Sequence, residues 1–136
     1  MPNWEAKKLC PSLKLVSGKA ERYIATTKRF LSILKRYTPL LEVFSIDEVF
    51  MDITQEAQRY GGPVGMARSV KDEFREVLGE YITATIGIAS NKAFAKLIAK
   101  RNKPDGIGQL SDEEIPSLLE KLPVGEVCGI RRRIEG

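Results

Sequence analysis

The stretch VFSIDEVFMDIT, from Val43 to Thr54, constrains this chain most, because it sets two adjacent carboxylates inside a run that otherwise predicts buried β-structure. Ionised carboxylates lose hydration in a core and need a cation or several hydrogen-bond donors in return. The longer run LLEVFSIDEVFMDIT is rich in β-branched and aromatic residues, and it suits two strands joined by a tight turn near Ser45–Glu48. The sequence therefore predicts a β-hairpin with Asp47 and Glu48 at its tip.

The chemistry open to that acidic pair is limited, because the chain contains no histidine. Histidine-based triads, His–metal sites and imidazole acid–base catalysis are excluded. Asp47 and Glu48 could instead share Mg²⁺ ions, which proteins usually hold with one or two carboxylates together with substrate phosphates. The alternative interpretation is a polar turn whose acids are solvated. Asp52, on the outgoing strand, is either a third ligand or an exposed acid on the face of the sheet.

The remaining elements follow from apolar spacing and from capping and turn residues. Helices are predicted over Pro2–Leu9, Ala20–Tyr37, Pro63–Gly79, Asn91–Asn102 (capped by Ser90) and Asp112–Leu122 (capped by Ser111). Further strands are predicted over Leu13–Gly18, Tyr81–Ala89 and Asp105–Leu110, each with its turn. This order predicts an α+β fold with a mixed or antiparallel sheet, a central β-hairpin and helices packed on one face.

Basic residues are segregated along the chain, which has a net charge of +4. Residues 1–37 hold nine Lys or Arg against two acids, and residues 38–60 hold five acids against Arg59 alone. Lys92, Lys96 and Lys100 recur every four residues on one helical face, where they could bind phosphates or form a solvated face. Lys103 differs, because the Pro-Asp-Gly turn that follows would fix it at a helix end.

Other classes of protein are disfavoured by composition. Cys10 and Cys128 lie far apart in no metal-ligand spacing, which favours reduced thiols over a disulfide. No apolar run approaches the roughly 20 residues that span a bilayer, and the N-terminus lacks the apolar segment of a signal peptide. We therefore expect a cytoplasmic protein with no membrane partner.

Three segments taken together, FSIDEVFMDIT, TATIGIASNKAFAKLIAKRNKPDG and LPVGEVCGI, resemble the palm of Y-family (DinB/UmuC-type) translesion DNA polymerases. The resemblance covers essentially the whole chain. It implies a palm of ferredoxin-like type that binds two Mg²⁺ ions, with Mn²⁺ as a substitute, and transfers a dNTP onto a primer 3′-hydroxyl. Asp47 would bridge both metals, and Glu48 would help to hold the catalytic metal.

The same resemblance implies further contacts with substrates. Lys103 would reach the triphosphate of the incoming nucleotide, while Ser45 and Lys96 would lie near the primer. Arg131 and Arg132 fall in GIRRRIEG, which is either a phosphate-binding loop or a charged tail, and Arg131 stands where the family pattern has a glycine. The implied partners are primer-template DNA, dNTP and a sliding clamp bound through regions outside this sequence. The implied location is that of a prokaryote-like protein associated with the nucleoid.

The resemblance also predicts domain boundaries and an incomplete metal site. Residues 1–18 would lead from the fingers into the palm, residues 19–122 would form the palm, and residues 123–136 would begin the thumb. The family pattern opens with an Asp-x-Asp strand that carries another metal-binding aspartate, and no such strand precedes Trp4. We therefore expect a palm fragment with little or no activity by itself. The alternatives are a non-catalytic nucleic-acid-binding or interaction module on the same scaffold, and a nucleotidyl-cyclase-like domain.

Overall fold

The computed structural model describes residues 1–123, and residues 124–136 lie outside that description. Within the described residues the chain forms five α-helices and four strands. In chain order these are α1 (Asn3–Leu9), α2 (Ala20–Leu34), β1 (Leu41–Val43), β2 (Val49–Met51), α3 (Pro63–Leu78), β3 (Ile86–Ile88), α4 (Lys92–Arg101), β4 (Ile107–Gln109) and α5 (Ile115–Lys121). None of these described helices is long and apolar enough to cross a membrane.

The strands form two separate pairs. β1 and β2 are antiparallel with Leu41 opposite Met51, which confirms the predicted hairpin. β3 and β4 are parallel with Ile86 opposite Ile107, and α4 is the connection between them. Parallel neighbours need such a crossover, because their chains must return to the same end. The mixed α and β composition of the described residues confirms the predicted fold class.

Two predicted strands differ from the structure. The strand expected over Leu13–Gly18 is not formed, and Leu15 and Val16 in that segment are 53% and 89% exposed. The strand expected over Tyr81–Ala89 is confined to β3. An apolar alternation indicates a strand only where a neighbouring strand and a core face are both present, and local sequence reports neither of them.

One core lies between α2, α3 and the strands. Its buried side chains are Ile33, Leu34, Tyr37, Ala57, Met66, Val70 and Phe74. Leu41, Val49 and Met51 of the hairpin pack against this cluster, and so does Ile86 of β3. The next residue, Gly87, lies against the backbone of α4. Successive residues of a strand face opposite sides, so α4 covers the side of β3 that α2 and α3 leave open. The prediction placed helices on one face only, and α4 is an addition to it.

Side chains cap two helical starts, that of α4 and that of the short 3-10 helix (Asp112–Glu114) that leads into α5. Asn91, one residue after the predicted Ser90, is the N-cap of α4 and accepts a hydrogen bond from Phe94 N at 3.0 Å. At Ser111 the predicted cap is present as a capping box, in which Ser111 N and Oγ both donate to the Glu114 carboxylate. Asparagine and serine are comparable N-caps, so residue type alone did not distinguish Ser90 from Asn91.

The hydroxyl of Thr38 connects the end of the α2 segment to the hairpin. Thr38 is 1% exposed. Its Oγ1 donates to the carbonyl oxygen of Asp52 at 2.8 Å and accepts a hydrogen bond from Leu40 N at 3.1 Å. A single buried hydroxyl therefore bonds to one backbone group on each side of the hairpin base.

We expect Thr38→Val to destabilise the fold by about 1–2 kcal/mol, because it removes the partner of two part-buried backbone groups, Leu40 N–H and the Asp52 carbonyl. The measurement is the free energy of unfolding from urea denaturation. Thr26→Val is the matched control, since Thr26 is less buried than Thr38 and its hydroxyl bonds to the carbonyl of Arg22 within α2. An equal loss in both variants would show that the effect comes from threonine in general and not from the hairpin base.

Candidate functional site

The acidic pair lies at the tip of the hairpin, as predicted. Beyond the last strand pair, the backbone N–H groups of Phe44 and Ser45 both donate to the carbonyl of Glu48, at 3.0 and 3.1 Å. This closes a tight turn and leaves Ile46 and Asp47 exposed. The strands of the hairpin pack on the core, and the turn holds the acidic pair away from that core.

Two hydroxyls hold the tip, one from a threonine and one from a serine. Thr27 of α2 has its Oγ1 within 2.6 Å of the carbonyl oxygen of Ile46 and 2.9 Å of the carbonyl oxygen of Tyr23. Ser45 Oγ donates to Asp47 Oδ1 at 2.6 Å. Ser45 therefore orients the carboxylate of Asp47, a contact that its predicted place near a primer terminus did not include.

Lys96 of α4 forms an ion pair with Glu48 across the site. Its Nζ lies 2.9 Å from Glu48 Oε2 and 4.2 Å from the centroid of the Phe44 ring. The Glu48 side chain is 43% exposed and that of Lys96 is 29% exposed. The helical lysine and the hairpin acid, 48 residues apart in sequence, are thus neighbours in the fold.

A second, parallel contact repeats this pattern one helical turn earlier. Lys92 pairs with Glu42 of β1 and lies 5.9 Å from the centroid of Phe50. The rings of Phe44 and Phe50 meet edge to face at 5.7 Å. Two of the three lysines in the predicted stripe therefore bind carboxylates of the hairpin in this structure, while Lys100 is exposed.

The donor chemistry at the tip fits a hard divalent cation, because both Asp47 and Glu48 offer carboxylate oxygens within reach of solvent. Among residues 1–123, however, no cluster of three or more His, Cys, Asp or Glu side chains could hold a metal ion. Asp52 is exposed, and its Oδ1 accepts from the Thr54 hydroxyl at 2.6 Å and from Thr54 N at 3.0 Å. These hydrogen bonds, the hydroxyl first, lower the pKa of Asp52.

The predicted nucleotide lysine, Lys103, lies on the turn after α4. It is exposed and makes no hydrogen bond or ion pair with the rest of residues 1–123. Asp105, two residues later, adopts the left-handed backbone conformation with φ 55°. Its carboxylate binds Lys71 of α3 and lies 3.9 Å from Arg75.

Sequence reasoning did not identify the contact between Lys71 and Asp105, because 34 residues separate them and neither stands in a recognisable motif. The only local signal was the Pro-Asp-Gly turn, in which Asp tolerates the left-handed conformation. The hydrogen bond from Lys71 is the main cause that lowers the pKa of Asp105 below its ordinary value of 3.8.

We expect Asp105→Asn to weaken the acid sensitivity of this chain. A carboxyl whose pKa is lowered by folding stabilises the fold above its unfolded pKa, and that contribution is lost as the pH falls through the folded pKa. Urea denaturation should show the wild type more stable than the variant near neutral pH, with the difference shrinking below about pH 4. Asp72→Asn, at a side chain 76% exposed, controls for loss of one negative charge. A difference independent of pH would contradict the expectation.

Three residues singled out in the sequence, Cys128, Arg131 and Arg132, lie outside the described residues. Their proposed roles therefore stay predictions.

Comparison with known families matches residues 1–100 to the impB/mucB/samB family. Among curated proteins, the chain is 37% identical over 131 residues to a DNA polymerase IV of Moorella thermoacetica and 38% identical over 136 residues to DNA polymerase IV 2 of Bacillus subtilis. It covers 32% of the length of each, while 96% and 97% of this chain are aligned. The chain thus spans about a third of these relatives.

Solved structures show the same relationship. An insertion ternary complex of Dbh DNA polymerase matches with a TM-score of 0.89 and 33% identity, covering 98% of this chain and 39% of that chain. DinB from Sulfolobus solfataricus matches with a TM-score of 0.88 and 33% identity, again over 98% and 39%. The described fold is therefore shared with part of these larger proteins.

Proposed function

Because the chain belongs to the impB/mucB/samB family, and resembles Y-family polymerases in sequence and fold, we propose that it forms the palm of a DNA-directed DNA polymerase for translesion synthesis. In that role it would support transfer of a dNTP onto a primer 3′-hydroxyl. Substrates and activity of the complete polymerase are part of this proposal, since the chain spans about a third of its curated relatives.

The observation that supports the proposal most is the hairpin tip. Asp47 and Glu48 are adjacent acids on a turn, and a lysine of a separate helix lies 2.9 Å from Glu48. A solvated polar turn would need neither the Ser45 hydroxyl on Asp47 nor the Thr27 hydroxyl on Ile46. Such fixation is costly in side-chain entropy, and it suits a site in which carboxylate oxygens must be held in place for a ligand.

Asp47 and Glu48 are the residues that would hold Mg²⁺, or Mn²⁺ in its place. When bound, such ions activate the attacking hydroxyl and stabilise the leaving pyrophosphate. Ser45 fixes one oxygen of Asp47, at 2.6 Å, so that the carboxylate keeps one orientation. Lys96 neutralises Glu48, which limits the repulsion between adjacent acids before a cation arrives.

Substrate contacts in the proposal come from basic residues around this pair. Lys103, exposed on its turn, would bind the triphosphate of the incoming nucleotide as a point charge. Ser45 and Lys96 would lie beside the primer, and Arg131 and Arg132 would contact the DNA backbone. We also propose a cytoplasmic location together with DNA, and a sliding clamp as a partner of the complete polymerase.

A primer-extension assay with Mg²⁺ or Mn²⁺ tests how much of the site this chain provides. We expect little or no templated incorporation by the chain alone, since the described residues bring together only two of the metal ligands that the proposal requires. Robust incorporation would contradict that part of the proposal and leave the assignment as a polymerase palm intact.

A hybrid polymerase tests the assignment itself. The aligned 131 residues of the Moorella thermoacetica protein, 37% identical to this chain, would be replaced by this chain. We expect templated incorporation that depends on Asp47. A folded hybrid that binds primer-template with the usual salt dependence but incorporates nothing would favour the non-catalytic DNA-binding module. In that case Asp47→Ala should leave DNA binding unchanged.

A further inference from the structure

The turn that carries Lys103 is fixed at its first end by Asn102. The Asn102 side-chain amide donates to the carbonyl of Ile98 at 2.8 Å. The backbone carbonyl of Asn102 accepts a hydrogen bond from Gly106 N at 3.0 Å. A Cβ added at Gly106 would collide with that carbonyl oxygen. Asn102 and Gly106 therefore close a short loop in which Lys103 and Pro104 form the exposed part.

The second end of the turn is held by Lys71. Only 12% of the Lys71 side chain is exposed. Its Nζ donates to the carbonyl of Ala84 at 2.8 Å, to the carbonyl of Asp105 and to Asp105 Oδ1. Asp105 Oδ1 also accepts from Ala84 N at 3.3 Å. The ammonium thus uses all three of its donors, and it joins α3, the segment before β3 and the Lys103 turn.

These contacts are more specific than stability alone requires. A lysine with so little exposure is costly unless it is paired, and here two of its three acceptors belong to one residue, Asp105. That residue holds a left-handed conformation, with φ 55°, that non-glycine residues adopt rarely. The backbone two residues after Lys103 is therefore fixed by the Lys71 ammonium of α3, whose side chain is mostly shielded from solvent.

We propose that Lys71 is a positioning residue, which holds the Asp105 turn so that Lys103 is presented to the triphosphate of an incoming nucleotide. The inference rests on the proposed function, because it assigns Lys71 a role through Lys103. A lysine side chain loses much conformational freedom on binding. Fixing the backbone of the turn beforehand removes the backbone share of the ordering cost, and so raises affinity without a new contact.

A double-mutant cycle separates this role from a purely structural one. The binding of dATP to the full chain in the presence of Mg²⁺ would be measured for the wild type, Lys71→Met, Lys103→Met and the double variant. We expect Lys103→Met to weaken binding about tenfold and Lys71→Met about three- to fivefold. The double variant should bind no more weakly than Lys103→Met, because Lys71 acts only through Lys103.

Two further variants serve as controls. Arg75→Met removes a cation 3.9 Å from Asp105 that makes none of the hydrogen bonds described for Lys71. We expect dATP affinity to change by less than about twofold. Asp105→Asn removes the partner of Lys71, so it should weaken dATP binding as Lys71→Met does. It also replaces Lys71→Met in the experiment if that variant is too unstable to assay. Thermal unfolding of each variant defines the temperature at which all are folded.

The outcomes are distinguishable. If Lys103→Met binds dATP as the wild type does, or if the wild type does not bind it, the proposed nucleotide role of Lys103 fails and this inference with it. If Lys103→Met weakens binding but Lys71→Met and Asp105→Asn do not, only the positioning role is overturned. Equal losses from Lys71→Met with and without Lys103 would assign Lys71 to general stability and overturn it as well.

Discussion

Replacing Gly87 with alanine is expected to destabilise the fold by about 3 kcal/mol or more, at the upper end of the range for overpacked cores. A Cβ at Gly87 would lie 2.5 Å from the backbone nitrogen of Ala99 and closer still to the backbone oxygen of Ala95. Both atoms belong to the backbone of α4, which cannot rotate away as a side chain can. Relief requires α4 to move off β3, and Leu97 and Ile98 on that helix are buried.

Urea denaturation measures this effect, and Gly18→Ala is the matched control. A Cβ at Gly18 would meet only the Tyr23 ring, at 3.3 Å, and Tyr23 is exposed and able to shift. We expect a change within about 0.5 kcal/mol there. If Gly87→Ala were equally mild, the close approach of α4 to β3 would be wrong. Since α4 carries Lys96 to Glu48, a displaced α4 should also disturb the acidic site.

Replacing Asp47 with asparagine should reduce nucleotidyl transfer by the hybrid polymerase by about a hundred- to a thousandfold. This corresponds to about 3–4 kcal/mol of transition-state stabilisation, at 1.36 kcal/mol for each tenfold. The variant keeps the size of the side chain and an oxygen that can accept from Ser45 Oγ, but it removes the charge that a divalent cation needs. Direct Mn²⁺ binding to the chain, followed by the spectrum of the free ion, provides a second measurement and should weaken at least tenfold.

Asp52→Asn is the matched control for Asp47→Asn, because it makes the same chemical change four residues past Glu48 on the same hairpin. Its carboxylate is engaged by Thr54, and we expect transfer and Mn²⁺ binding within about twofold of the wild type. An equal loss from Asp52→Asn would make Asp52 a metal ligand. No loss from Asp47→Asn, with the hybrid folded and active, would remove Asp47 from the proposed mechanism.

The pairing of Lys92 and Lys96 with hairpin acids changes how the basic stripe of α4 is understood. Lys92 and Lys96 are helix neighbours with the same surroundings, a glutamate and a phenylalanine each. Only Lys96 binds an acid of the candidate metal site. The two lysines therefore differ in which acid they bind, a difference that spacing in the sequence could not reveal.

Local sequence determined most of the elements in the described part of the chain. The hairpin around Ser45–Glu48, the helix that begins at Pro63 and the capping box at Ser111 all rest on short-range signals, and the structure confirms them. Boundaries that depend on distant partners were less accurate. The strand predicted over Leu13–Gly18 failed for this reason, because its apolar residues have no strand or core beside them.

Residue identity alone limits the chemistry open to this protein. The chain has no histidine, two adjacent acids on a turn, and lysines on a helix. These follow from residue identity and local conformation, which need no distant contact. Which side chains contact one another follows from the tertiary structure. It brings Lys96 to Glu48, Thr27 to the hairpin tip, and Lys71 to the turn of Lys103. Such pairs are set by how helices pack on strands, because burial and close packing act between residues far apart in the chain.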